Sequence, residues 1–449
     1  VDEPVVEKQK SEKGWRLDGG SPSLPEVFRT IPVTKGMSTF RKLFAFFGPG
    51  YLVAVGYMDP GNWATDLSGG SRFGYTLLSV VLISNFMAMF LQALCAKLGI
   101  VSGRDLAQAC RDAYSKPTAR LLWIACEIAI AACDLAEVLG SAIALNLLFG
   151  IPIVWGCVIT IADVLVILLL QSKGFRWIEA IVITLILTVG GCFGYLVFHS
   201  GANMAAVLQG FVPRAEILRD PAMLYIAIGI LGATVMPHNL YLHSSIVQTR
   251  AYGSEKEDKR EAIKFAVIDS TVALLFALFI NAAILIVAAA AFHTRGIGEV
   301  AELKDAYRLL TPVLGAGAAS VLFGVALLAS GQNSTLTGTL AGQIVMEGFL
   351  NIRLAPWLRR LVTRLVAVVP AVIIVAIFGE SKVTDLLIFS QVLLSFQLPF
   401  AVFPLIQFTS DKLKMGEYAN KPVTKSIGCS LAVAITVANG YLLWQIFTK

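Results

Sequence analysis

Gly56-Tyr57-Met58-Asp59-Pro60-Gly61-Asn62 and Gly232-Ala233-Thr234-Val235-Met236-Pro237-His238-Asn239 are the two stretches that decide the fold. Each interrupts an apolar run long enough to cross a bilayer as helix, which takes about 20 residues. Proline removes a backbone donor and clashes with the preceding turn, so both helices are expected to unwind there. Backbone polar groups freed at membrane depth are tolerated only where they line a cavity or are buried in protein. The two stretches therefore mark an internal polar site.

Counting outward from them gives eleven expected spans. They cover 43–67, 75–98, 121–148, 152–170, 178–198, 223–247, 265–291, 313–344, 362–378, 386–408 and 427–447. The third and eighth exceed the bilayer thickness and should tilt or protrude. The breaks fall in spans one and six, the first members of two successive groups of five. Five is odd, so the second group enters the membrane with opposite polarity. Interrupted helices at corresponding places of two inverted halves point to a midplane binding site. The expected organisation is a flexible cytoplasmic tail over 1–40, a first five-helix repeat over 41–200, an inverted second repeat over 201–410, and an additional helix over 411–449.

Composition agrees. Of 449 residues 56% are hydrophobic and 15% charged, with mean hydropathy +0.73, where a soluble domain carries roughly 25% charged residues. The net charge of +6 is spread over loops and is no nucleic-acid signal. With the N-terminus in the cytoplasm, 28 of the 36 Lys and Arg lie on the inner side, as the positive-inside rule requires. Eleven spans then put the C-terminus outside. The seven cysteines include no C-x-x-C pair and read as small core residues. No cleavable signal peptide is read at the polar start, and a multi-pass protein of a bacterial inner membrane is expected.

Asp59 lies inside an apolar span, where a carboxylate is costly without a cation, a proton or a partner. Asn62 follows one turn later with an amide oxygen, and Met236 on the other broken helix offers a thioether. Carbonyls released near Gly56 and Ala233 would complete a shell. Hard oxygens alone suit Mg²⁺ or Ca²⁺, whereas a thioether biases a site toward manganese, iron, cobalt or cadmium. His238, with an imidazole that titrates near neutrality, and His243 further along the span are candidate proton carriers. In span three Glu127, Asp134 and Glu137, separated by 7 and 3, share one helical face and suggest a proton route. In span eight 330–335 form a polar band, and in span ten Gln391 is an isolated amide that would supply an oxygen as an outer gate closes. Asp163 and Asp269 are further intramembrane carboxylates without an assigned role.

The pair Asp59-Pro60-Gly61-Asn62 and Met236-Pro237-His238 resembles the signature of the NRAMP family of divalent-metal transporters, and the likeness runs from about Leu43 to the C-terminus. The resemblance implies an all-α integral membrane fold of the leucine-transporter class, with broken helices 1 and 6. It implies import of Mn²⁺ foremost, and of Fe²⁺, Co²⁺ and Cd²⁺, with proton symport by alternating access. Asp59, Asn62, Met236 and a carbonyl near Ala233 would bind the ion. Arg360 or Arg364 would pair the span-three carboxylates, while Arg359 reads as an interfacial anchor. The expected partners are the metal ion, the proton and the lipid bilayer, with no prosthetic group and a monomer as the unit. A sodium-coupled amino-acid transporter shares the fold, but Asp59 would repel a substrate carboxylate. A metal sensor would need a signalling domain, and none is read. An enzyme would need an H-E-x-x-H cluster or a nucleotide loop, and the sequence holds neither.

Overall fold

The computed structural model describes residues 14–17, 21–34, 36–162, 174–296, 302–314, 317–352, 356–379 and 382–448. A short helix α1 (Thr39–Phe46) precedes the first span. Span one consists of α2 (Pro49–Gly56) and α3 (Pro60–Phe73). Then come α4 (Leu78–Ser102), the short α5 (Leu106–Ala113), α6 (Lys116–Phe149), α7 (Ile153–Ile159) and α8 (Phe175–His199). Span six consists of α9 (Pro221–Val235) and α10 (Pro237–Ile246). After it come α11 (Lys256–Ala288), α12 (Leu303–Leu314), α13 (Ala319–Leu350), α14 (Pro356–Phe378), α15 (Val383–Ser410) and α16 (Pro422–Thr448), with a few helices of four to seven residues between the long ones. A helix stands at each of the eleven expected positions. Among the described residues seven are long and apolar enough to cross a membrane on length and composition alone. Of the fourth span 163–173, with Asp163, lie outside the described residues.

Both breaks fall where proline demands them. Pro60 and Pro237 each occupy the first position of a new helix, where the missing N–H costs nothing. Two boundaries differ from expectation. Span one begins at Pro49 rather than at 43, because Gly48 turns the chain at φ 141° and separates α1, whose Phe40 and Phe44 are exposed. Span eight begins at Ala319 rather than 313. The preceding residues form the amphipathic α12, which is locked to α13 by Thr311 and Ser320. Ser320 Oγ accepts from Thr311 N (3.2 Å) and Thr311 Oγ1 accepts from Ser320 N (3.0 Å).

The expectation of a flexible tail over 1–40 fails for the described part of that segment. Trp15 is 1% exposed, packs on Phe408 at 5.7 Å, and lies under Arg104 and Lys414. Ser23 Oγ donates to Asp105 Oδ2 (2.7 Å) and Leu24 N to Glu347 Oε2 (3.1 Å). A two-residue strand β1 (Ile31–Pro32) pairs in parallel with β2 (Arg250–Ala251). Residues 14–17 and 21–34 thus form a strap across one end of the helix bundle, held by α5, α13, α15 and the α10–α11 connection. Its polar composition hid this, because its anchors are tertiary contacts.

α6 and α13 form the most extensive helix pair; α2 and α3 pack on α11, and α9 and α10 pack on α4 and α15. Gly140 of α6 faces the start of α3: a Cβ there would fall 2.1 Å from Pro60 Cβ, so the close approach at this point requires glycine.

Candidate metal site at the two helix breaks

In an α-helix the carbonyl of residue i accepts from N–H of i+4. The partners of Gly56 and Ala233 would be residues 60 and 237, and both are prolines. The two carbonyls are therefore left without helical donors by the same device. Asn62 Nδ2 gathers them: it lies 3.3 Å from Gly56 O and 3.1 Å from Ala233 O. The same nitrogen lies 2.7 Å from Asp59 Oδ1, which also caps α3 by accepting from Asn62 N at 2.7 Å. Three oxygens from two different breaks converge on one point. Asp59 Oδ2 is buried without a hydrogen-bond partner.

The neighbouring carbonyls are spoken for. Tyr57 O accepts from Asn281 Nδ2 at 2.7 Å. Met58 O accepts from Trp63 Nε1 at 3.1 Å and from Ser330 Oγ. At the first break this accounting of freed backbone groups leaves Gly56 O available to a ligand, and Ala233 O of the second break meets it at Asn62 Nδ2. They lie at the C-terminal, electronegative ends of α2 and α9, which suits a cation. Asp59 offsets the opposite polarity of the α3 N-terminus.

Met236 links α9 to α10 with φ 31° and ψ 103°. This left-handed backbone carries its side chain inward, where it is fully buried. Its Sδ accepts from Asn239 Nδ2 at 3.6 Å, and a Cβ on Gly56 would lie 3.1 Å from it. Glycine at 56 therefore lets the sulfur approach the first break. Gln391 of α15 packs against Gly61, whose Cβ would fall 1.8 Å from Gln391 Nε2, and its Oε1 has no partner. Asp59, Asn62, Met236, Ala233, Gly56 and Gln391 are all closed off from solvent.

The proton-route candidates divide. Asp134 and Glu137 lie side by side over Gly338 of α13, whose Cβ would fall 3.1 Å from Asp134 Oδ1 and 3.0 Å from Glu137 Oε1. Arg364 joins them: Nη1 lies 3.8 Å from Glu137 Oε2, Nε donates to Thr160 O and Nη2 to Thr335 Oγ1, each at 3.3 Å. Side chains of Arg359 and Arg360 lie outside the described residues. Glu127 stands about 15 Å further along α6 by helical rise, half-buried, and accepts from Trp123 Nε1 at 2.9 Å. His238 is buried with Nδ1 unpartnered. His243 lies elsewhere, 3.0 Å from Gln92 Oε1, while Gln92 Nε2 donates to Tyr57 Oη at 2.8 Å. Asp269, which had no assigned role, caps α2 by accepting from Gly48 N and Gly50 N. Sequence reasoning missed Gln92 and Asn281 and gave Asn239, though part of the second break, no role. Gln92 and Asn281 are isolated amides in apolar spans, the same signal that singled out Gln391.

The family described as natural resistance-associated macrophage protein-like, Nramp, matches residues 50–445. The chain belongs to the Nramp family. This Nramp protein is 62% identical over 447 residues to the divalent metal cation transporter MntH of Listeria innocua, covering 99% of this chain and 100% of that one. The MntH of a Nostoc species is 62% identical over 424 residues, covering 94% and 96%. Among solved structures, the manganese transporter of Eremococcus coleocola superposes with TM-score 0.86 at 41% identity, covering 93% of this chain and 90% of that one. The nucleobase–cation symporter MHP1, at 16% identity and TM-score 0.59, shares the fold alone. Nramp membership makes the chain a multi-pass membrane transporter and not an enzyme, and the leucine-transporter-like fold that the family resemblance implied stands.

Proposed function

We propose that this Nramp chain imports divalent transition-metal ions, Mn²⁺ foremost and also Fe²⁺, Co²⁺ and Cd²⁺, with protons moving in the same direction by alternating access. The observation that carries this reading is the convergence of Asp59 Oδ1, Gly56 O and Ala233 O on Asn62 Nδ2 beside the Met236 thioether. That amide nitrogen stands where a cation would gain the same three oxygens. With the Asn62 amide drawn back to admit the ion, its Oδ1 would be a fourth ligand. Met236 adds the soft ligand that Ca²⁺ and Mg²⁺ have no use for. Gln391, packed against Gly61, is placed to add an oxygen.

His238 would take the proton near the metal, and Asp134, Glu137 and Arg364 would carry it away. Glu127 would stand at the far end of that route, with Arg360 and His243 as further groups along it. The repeats would run over 41–200 and 201–410 with 411–449 appended, the N-terminus in the cytoplasm of a bacterial cell and the C-terminus outside, in a monomeric unit. Mn²⁺ influx into proteoliposomes under an inward proton gradient tests the reading. Expected are saturable flux with proton entry in the wild type, its loss in Asp59→Ala, and Ca²⁺ inhibition appearing in Met236→Ala. Saturable Mn²⁺ uptake surviving in Asp59→Ala refutes the site assignment.

A further inference from the structure

A buried thiol in a membrane helix is by default a small apolar filler. Cys133 of α6 departs from that. Among the described residues it alone of the seven cysteines donates to a carboxylate, its Sγ standing 3.6 Å from Glu137 Oε1. The two lie four residues apart, one above the other on one helical face, and both are buried.

Glu137 depends on that donor. Among the described residues its carboxyl group accepts no other hydrogen bond. Oε2 is buried without a partner, and Arg364 Nη1 stands 3.8 Å from it, too far for a hydrogen bond. Several rotatable bonds separate this carboxyl from its main chain, and attraction to a distant charge does not select among their rotamers. A directed donor does. Oε1 lies toward Gly338 of α13, where an added Cβ would fall 3.0 Å from it and 3.1 Å from Asp134 Oδ1. Glycine there leaves the two carboxyl groups room to meet, and the thiol keeps Glu137 turned toward that meeting point.

Cys133 also belongs with Ala129, Leu394 and Met236 to one small buried cluster, separate from the main core. Within this cluster the thiol is the sole side chain that can donate a hydrogen bond, and it donates to Glu137. We propose that Cys133 is a positioning residue for proton transfer: from the cluster around the Met236 thioether, it holds the Glu137 carboxyl in the orientation from which a proton is exchanged with Asp134. The proton arrives on and leaves from the Glu137 carboxyl, and the thiol keeps its own hydrogen throughout. Cys133 is no ligand of the metal. The inference rests on Glu137 serving the proposed proton route.

Two size-matched pairs test it in the full chain reconstituted in proteoliposomes: Cys133→Ala with Cys133→Ser, and Cys133→Val with Cys133→Thr. Within each pair the bulk is nearly equal and only the donor differs, so effects of packing cancel. Mn²⁺ flux and the proton entry that accompanies it, read with a pH-sensitive dye inside the vesicles, are measured together. Expected is a roughly two- to fivefold lower proton entry per Mn²⁺ in Cys133→Ala and Cys133→Val, the worth of one hydrogen bond. Cys133→Ser and Cys133→Thr should restore most of it, with the KM for Mn²⁺ alike within each pair. Equal proton entry within both pairs overturns the inference, because a packing role moves both members alike. Aggregation of all four variants in gel filtration would make Cys133 a packing residue and overturn it too. Wild-type proton entry per Mn²⁺ in Glu137→Gln, run alongside, would instead sink the route reading beneath it.

Discussion

Gly140→Ala probes the joint between α6 and the first break with a single carbon atom. The new Cβ would fall 2.1 Å from Pro60 Cβ and 2.2 Å from Pro60 Cγ, where carbon atoms settle at about 3.5–4.0 Å. The proline ring has no rotamer through which to escape, and Asp59, next to it, is both the α3 cap and the proposed metal ligand. The helices must part by about 1.5 Å. Overpacking of this kind costs about 1–3 kcal/mol. The larger effect is geometric, because Asp59 moves relative to Ala233 O on the other break. An error near 1 Å in a ligand set of this kind is worth on the order of a hundredfold, so Cd²⁺ affinity should fall by ten- to a hundredfold. The control is Gly191→Ala on α8, where a Cβ meets nothing within 4 Å. It carries the same change in intrinsic helix propensity. Calorimetry on both variants decides the matter. A Gly140→Ala protein binding Cd²⁺ as tightly as Gly191→Ala refutes the claim that this contact sets the site.

Arg364→Gln removes the guanidinium 3.8 Å from Glu137, so proton entry accompanying Mn²⁺, read with a pH-sensitive dye inside liposomes, should collapse. Cd²⁺ affinity in the same variant should stay within about threefold. Trp15→Ala strips the strap of its buried anchor, a change worth about 3–5 kcal/mol. Trypsin should then cut at Arg16 and Arg29 at least tenfold faster, and an unchanged digestion rate would show the strap held by other means. Asp105, outside the spans, has its pKa pushed up to about 6 by burial, against the lowering effect of Ser23, Gln108 and Arg111. The folded state binds the proton more tightly than the unfolded one, so stability falls as pH rises from about 4 to about 6. Asp105→Asn, which keeps the helix cap, should flatten melting temperature across that window, as followed by tryptophan fluorescence.

What was legible in the sequence was whatever a local rule dictates. Pro60 and Pro237 announce their breaks because proline's effect on a helix depends on the four residues before it. Asp59 stands out because carboxylates are rare in apolar runs. The 7 and 3 spacings of Glu127, Asp134 and Glu137 put them on one face, but spacing along one helix says nothing about what faces it. Only the packing of α14 against α6 brings Arg364 to Glu137. The strap was illegible for the same reason. Trp15 lies among charged and polar residues, and its partners Arg104, Phe408 and Lys414 come from distant parts of the chain. The amphipathic α12 was lost to a window that counts apolar residues without asking which face they occupy.

Met236 holds a left-handed backbone at φ 31°, a region that disfavours side chains of the L series and typically costs about 1–3 kcal/mol. Glycine would sit there without strain. A methionine at this point is therefore a side chain kept against the preference of its own main chain, and the tension acts on the link between two half-helices. Met236→Gly should leave a more relaxed joint whose two halves reorient more readily, at the loss of the sulfur. Substitutions at 236 thus move two quantities in opposite directions, the grip on the ion and the freedom of the hinge. A variant that binds metal worse can still turn over faster.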